Sequence, residues 1–266
     1  MGDMGKLMLF DFVLIIFIAL GLWLVKKYVK RERTESIILM VTAVFTVLFH
    51  YSTFLLRLLT GDQPMEYLCE NPNLILPIYP CNVVMWTALI FACLKNKKSK
   101  LGSFFADYLF WFGIISTLVG MLANVDFVRN PTLADYENVK SIGAHATLLF
   151  NVLLLPLFGY IQTNVKRNMT HIVISIVEMA VIGGYCNLLF SALASEEVAY
   201  DVNSMFLIHS PFGEGDFLTY PVISFMALPI YMMIFIICDL VVRNKGGQCY
   251  DGMRKEKRQR SEDVVK

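Results

Sequence analysis

The sequence predicts an all-α, polytopic integral membrane protein of about seven transmembrane helices, and three observations predict it. Apolar runs of about 20 residues, the length a helix needs to cross a bilayer, recur along the chain. Of the 266 residues, 56% are hydrophobic and only 17% charged, where a soluble domain carries about 25% charge. The lysines and arginines also alternate from one connection to the next.

The spans are read over residues 7–25, 36–58, 74–94, 103–123, 142–162, 171–193 and 218–242. The third, fifth and sixth contain Pro or a Gly pair, breakers that a membrane helix tolerates when its neighbours satisfy the freed backbone groups. After the first span come Lys26, Lys27, Lys30, Arg31 and Arg33; after the third, Lys95, Lys97, Lys98 and Lys100; after the fifth, Lys166 and Arg167. The tail adds Arg243, Lys245, Arg254, Lys255, Lys257, Arg258, Arg260 and Lys266. The alternate segments hold only Lys6, Arg129 and Lys140. The positive-inside rule then sets the N-terminus outside and the C-terminus in the cytoplasm. The first run lacks a basic segment ahead of it, so it reads as an uncleaved anchor rather than a signal peptide. Residues 1–242 form one transmembrane domain, and 243–266 a flexible, basic cytoplasmic tail. The expected location is the cell membrane.

Several classes are excluded. Cys69, Cys81, Cys93, Cys186, Cys238 and Cys249 contain no CxxC pair, so neither a zinc knuckle nor a thioredoxin motif is indicated. A net charge of +1 by itself says nothing about nucleic acid, the location of the charges mattering more, and no nucleic-acid partner is expected. No nucleotide-binding loop or ion-selectivity motif is present, and no cofactor is implied.

Depth within the membrane picks out the candidates. At about 1.5 Å per residue, Cys81 lies roughly 10 Å in from the outer face, His145 roughly 5 Å and His50 roughly 12 Å. Arg57 lies on the same side, as do Asn124, Asp126, Tyr185, Cys186, Asn187 and a loop with Asp201, Asn203, Ser204, His209, Glu214 and Asp216. Ionisable groups within a span are costly and usually face the bundle interior or a water-filled cavity. A shared cavity opening to the outer leaflet accounts for all of them. Each also has a plainer reading: a packing thiol, interfacial histidines, an arginine snorkelling to phosphate. Glu178, in the inner half of the sixth span, has no evident partner. Asp107 and Asp239 lie near the cytoplasmic face and need little explanation.

Two chemistries suit this set. One is acyl transfer, with Cys81 attacking an ester and a histidine taking its proton. Pro77 and Pro80 break the helix and free backbone N–H groups for an oxyanion. The other is metal-assisted hydrolysis at His50, His145 and His209, with Asp126, although no HxxxH or HExxH spacing occurs. A third reading is a receptor, sensor or small-molecule carrier that uses the same residues to line a ligand cavity.

The stretch Leu76-Pro77-Ile78-Tyr79-Pro80-Cys81-Asn82-Val83-Val84 resembles the Cys-centred third-span motif of the YwaF-like integral membrane proteins of Firmicutes. Gly143-Ala144-His145, with Asn151 and Pro156, is similar to that family's His-bearing span. Asn203-Ser204-Met205-Phe206-Leu207, with Ser210-Pro211, is similar to its loop before the last span. The resemblance covers residues from about 40 to 242. Eukaryotic relatives include a transmembrane acyltransferase of ether-phospholipid remodelling, so the resemblance implies a Cys81 nucleophile with His145 as base, acting on a membrane phospholipid or other acyl lipid. Many bacterial members carry a His two positions before the Cys, where this chain has Tyr79. Tyr79, Asn203, His50 and Arg57 are expected to bind substrate, with no metal.

Overall fold

The computed structural model describes residues 3–122, 132–194, 202–210 and 217–244, and among them it is built of helices and connections. Asn124, Asp126, Asp201, Glu214, Asp216 and the tail from residue 245 lie outside the described residues. Among the described residues, six helices are long and apolar enough to cross a membrane. They are α1 (Asp3–Tyr28), α2 (Glu32–Thr60), α5 (Lys100–Leu122), α6 (Tyr136–Leu157), α7 (Val165–Leu193) and α8 (Tyr220–Asn244). Two shorter helices, α3 (Pro64–Glu70) and α4 (Pro80–Cys93), lie between α2 and α5.

The predicted third span is the clearest departure from the sequence reading. Residues 74–94 are not one helix: α4 has 14 residues and begins only at Pro80. A proline pushes the residue before it into extended geometry, and Tyr79 obeys, with φ −105° and ψ 153°. Pro80 then occupies the first helical position, where its missing N–H costs nothing. Non-helical backbone at membrane depth survives only where protein covers it or it lines a cavity; of residues 75–79, Ile78 is buried under the loop before α8, while Ile75 and Tyr79 are exposed.

The fifth span also shifts, from 142–162 to Tyr136–Leu157. Asp135 caps its start by accepting a bond from the Glu137 N–H (2.9 Å), and Gly159, at φ 76°, closes its far end. This brings Lys140 inside the helix rather than in a connection.

α6 is the central helix: 56% of its most apolar stretch is buried, against 11% for α1. Asn151 ties it to α2, donating to the Leu39 carbonyl (2.9 Å) and to Thr42 Oγ1 (2.6 Å). Leu39, Val84, Leu109, Leu148, Val152 and Leu155 build the core around this junction. The outward faces of α1 and α8 stay apolar and exposed, as lipid-facing helices must be.

At the basic end of the bundle, below Lys95 to Lys100, α5 is locked to α7. Asp107 is fully buried and accepts bonds from His171 Nδ1 (2.7 Å) and from Arg167 Nε (3.1 Å) and Nη2 (3.4 Å). Arg167 also donates to Gln162 Oε1 and to the Gln162 carbonyl. The carboxylate is therefore paired and hydrogen-bonded, the condition for burying a charge. Just beyond Asp107 the helix widens into a π turn over Tyr108–Phe112.

Candidate functional site

Cys81 stands in the first turn of α4, and the segment leading to it is pinned from two sides. On one side, α2 grips it: Tyr51 Oη donates to the Leu74 carbonyl (2.8 Å) and His50 Nε2 faces the Asn73 carbonyl (3.4 Å). On the other, the loop before α8 clamps Ile78. Ser204 Oγ and the Met205 N–H both donate to the Ile78 carbonyl, at 2.9 and 2.8 Å. Asn187 on α7 holds that loop by accepting from the Ser204 N–H (2.7 Å). Gly183 makes room for the clamp, because a Cβ there would fall 2.7 Å from Met205 Cγ. The Asn82 side chain accepts from the Tyr79 N–H (3.1 Å), capping the start of α4 from within.

A helix N-terminus carries unsatisfied N–H groups and partial positive charge, so it favours an anion near its first turn. Cys81 occupies that position and is partly buried. It lines a small cavity with Thr46 and His50 of α2, Asn82 and Met85 of α4, and Ala144, His145 and Leu148 of α6. The volume is about 30 Å³, room for two or three waters at roughly 10–15 Å³ each. The thiol, His50 and His145, predicted to share a depth, therefore share a cavity.

Backbone carbonyls orient both imidazoles. His145 Nδ1 lies 2.8 Å from the Ser141 carbonyl. A carbonyl only accepts, so Nδ1 carries the proton and Nε2 is left as the basic nitrogen. The longer His50 contact to Asn73 leaves Nδ1 of that ring as its acceptor. Gly120 on α5 is the floor beneath His145: a Cβ at that position would sit 2.1 Å from Nε2 and 2.3 Å from Cδ2. Glycine here is required by close approach to the ring.

A second polar group lies further along the same two helices, at the Tyr67 end. On α2, Thr46, His50, Thr53 and Arg57 fall at spacings of four, three and four, one stripe of a helix. On α6, Lys140, Ala144 and Leu148 line up in the same way. Glu137 is ion-paired with Lys140 and accepts from Thr53 Oγ1 (2.6 Å) and Tyr67 Oη (3.0 Å). Lys140 Nζ in turn donates to Tyr67 Oη (3.0 Å), and the Arg57 guanidinium lies over the Tyr67 ring, 4.6 Å from its centroid. Tyr67 and Lys140 are both buried.

The other predicted residues fall elsewhere. Asn203 organises its own loop, accepting from the Ile208 and His209 N–H groups and donating to the His209 carbonyl. Tyr79 is 41% exposed and packs on Phe206. His209, the third ligand of a metal reading, is exposed on that loop, and Asp126 lies outside the described residues. Among the described residues no cluster of three His, Cys, Asp or Glu is placed to hold a metal ion. Tyr185 points outward and Cys186 is buried; Glu178 is half-buried with no hydrogen-bond partner among the described residues. The sequence reading missed Glu137, Lys140 and Tyr67 as site residues, although the α2 stripe from Thr46 to Arg57 was there to be found.

The family model that matches the chain is that of the TMEM164 family, over residues 4–242. The chain belongs to the TMEM164 family. The matched region takes in every helix from α1 to α7 and nearly all of α8, so the Cys81 cavity and the Tyr67 cluster both lie within the TMEM164-family region. The family is a transmembrane one, which with six apolar helices makes this a multi-pass membrane protein. No curated protein and no solved structure matches the chain.

Proposed function

We propose that this TMEM164-family protein is a membrane-embedded acyltransferase or transacylase acting on phospholipid acyl chains, with Cys81 as the acylated nucleophile and His145 as the base. One observation carries the reading: a thiol in the first turn of a broken helix shares a cavity with two carbonyl-oriented imidazoles. The resemblance to YwaF-like proteins and their acyltransferase relatives supports it by analogy. In this scheme the bundle crosses the cell membrane seven times, α4 with its extended lead making the third crossing. The N-terminus is outside, and the basic tail is cytoplasmic.

The chemistry runs in two balanced steps. His145 Nε2 takes the Cys81 proton as the sulfur attacks an ester carbonyl. The S–C bond forms, the ester C–O bond breaks, and the departing alkoxide receives the proton. The acceptor hydroxyl then loses its proton to His145 and attacks the thioester, and the sulfur leaves and regains a proton. The free N–H groups at the start of α4 stabilise the oxyanion in both steps. His50 polarises or holds the substrate from the opposite wall. The cavity is far smaller than a ligand pocket of about 300–1,000 Å³, so only the reacting ester enters it while the chains remain in lipid.

The test is acyl transfer by purified full-length protein between defined phospholipids, read by mass spectrometry. Cys81→Ala is expected to abolish both transfer and a hydroxylamine-sensitive acyl adduct. Wild-type transfer in that variant overturns the mechanism.

A further inference from the structure

We infer that the cluster above the cavity, Arg57, Tyr67 and Lys140 held by Glu137, binds the phosphate group of a glycerophospholipid and sets its ester over Cys81. The inference rests on the acyl-transfer reading for the choice of lipid, but the binding itself requires no transfer.

Charge comes first. Two cations meet one ring, with Lys140 Nζ 3.0 Å from Tyr67 Oη and the Arg57 guanidinium over the ring, 4.6 Å from its centroid. The one carboxylate bonded into the cluster is Glu137, and it pairs with Lys140. Arg57 has no carboxylate partner among the described residues and is only half-buried. The cluster therefore carries one positive charge in excess, the complement of a phosphodiester. Asp62, Glu66 and Glu70 lie on the same outer segment but are exposed, where solvent screens them.

Shape comes second. A guanidinium presents donors in a fixed fork suited to phosphate oxygens, while an ammonium acts as a point charge. Here one of each is held in place, Lys140 by Glu137 and Tyr67, Arg57 by the face of Tyr67. The phenol of Tyr67 already donates to Glu137, so the ligand's bonds fall to the two cations.

Position comes third. Arg57 is seven residues beyond His50 on one helix and Lys140 four residues before Ala144 on the other, about 10 Å and 6 Å along the axes. The glycerol bonds between a phospholipid's phosphate and its ester carbonyls bridge a gap of that size. Thr53, which donates to Glu137, is only three residues beyond His50 on α2, so the cluster stands about one helical turn from the cavity. A fatty acid or neutral glyceride offers nothing for the cations to hold.

The probes are fluorescent lysophosphatidylcholine and a monoacylglycerol of the same chain, titrated against the purified full chain in detergent. Lysophosphatidylcholine is expected to bind more tightly. Arg57→Gln should weaken it about tenfold, the worth of one charge-assisted contact, with monoacylglycerol unchanged. Lys140→Gln should do the same; if that variant fails to fold, Arg57→Gln decides alone. Displacement by millimolar inorganic phosphate assigns the site to the free anion. Resistance to it assigns the site to the headgroup, and both keep the phosphate assignment. Arg57-dependent binding without any acyl transfer leaves the phosphate site standing and sinks the transferase reading. No binding by the wild-type chain, equal binding of the two lipids, or wild-type affinity in Arg57→Gln overturns the inference.

Discussion

The two polar clusters of this bundle use similar residues to different ends. At the basic end Asp107, Arg167 and His171 bridge α5 to α7, and at the other end Glu137, Lys140, Tyr67 and Arg57 bridge α6 to α2 and α3. Asp107 is fully buried and receives three bonds, and Arg167 has further acceptors on Gln162. That cluster is closed: its groups face one another. Glu137 is half-exposed, Arg57 has only a ring to lean on, and beneath them lies a cavity with a thiol and two imidazoles. That cluster is open: it has more cation than its own carboxylate neutralises. A buried charge that is fully matched fixes a joint, whereas a half-exposed cation without a carboxylate beside a cavity is free to take a ligand.

The comparison breaks most visibly at Asp107. Asp107→Asn removes one partner of a buried ionic network and leaves Arg167 without its counter-charge, which costs about 3–5 kcal/mol. At roughly 2–4 °C per kcal/mol for a chain of this size, the melting temperature in detergent should fall by about 10 °C. Lysophospholipid binding below that temperature should be unchanged. A variant that melts normally but loses binding would mean that the closed cluster is a site as well.

That result also bears on what the sequence discloses. The helical class and the membrane were legible because lipid demands long apolar runs. The common depth of Cys81, His50 and His145 was legible from helical rise and charge alternation. The break before Cys81 was half legible: Pro77 and Pro80 announced it, but hydropathy averaged them into one span. Lys140 was hidden, because a lone lysine near an apolar run looks like a loop charge. Only the Asp135 cap, which starts α6 six residues earlier than hydropathy suggests, moves it inside. Asp107 and His171 lie 64 residues apart, and nothing local to either announces a partner. Pairings between helices are tertiary facts, and periodicity within one helix does not contain them.

A smaller loss is expected at Gly120, and it sharpens the open side of the comparison. Alanine is about 1 kcal/mol better than glycine in a helix interior, so Gly120→Ala would stabilise α5 if nothing stood in the way. The His145 ring does: the new methyl would overlap Nε2 and Cδ2. The imidazole must turn from its bond to Ser141 or move toward the cavity. Misplacing a catalytic group by about 1 Å costs about a hundredfold, and acyl transfer should fall by that factor, mostly in kcat. Phospholipid binding at Arg57 should persist. Unchanged kcat would show that the basic nitrogen of His145 is not used.

The smallest effect is expected at Ser204, where the open site depends on a neighbouring loop. Ser204 is buried, and its hydroxyl is one of two donors to the Ile78 carbonyl. Ser204→Ala removes that hydroxyl but leaves the Met205 N–H in place, so the carbonyl is not orphaned. The cost should be about 1 kcal/mol, that of one hydrogen bond, rather than that of an unsatisfied buried group. The non-helical lead from Ile75 to Tyr79 then has one tie fewer to the loop before α8, and the first turn of α4 sits less firmly over the cavity. Transfer should drop a few-fold in kcat with little change in KM, because Ser204 makes no contact with the Arg57–Lys140 cluster proposed to hold the phosphate. A drop in KM-linked affinity instead would place the 202–210 loop on the lipid's path, and would make the Tyr79–Phe206 face part of the substrate channel rather than its support.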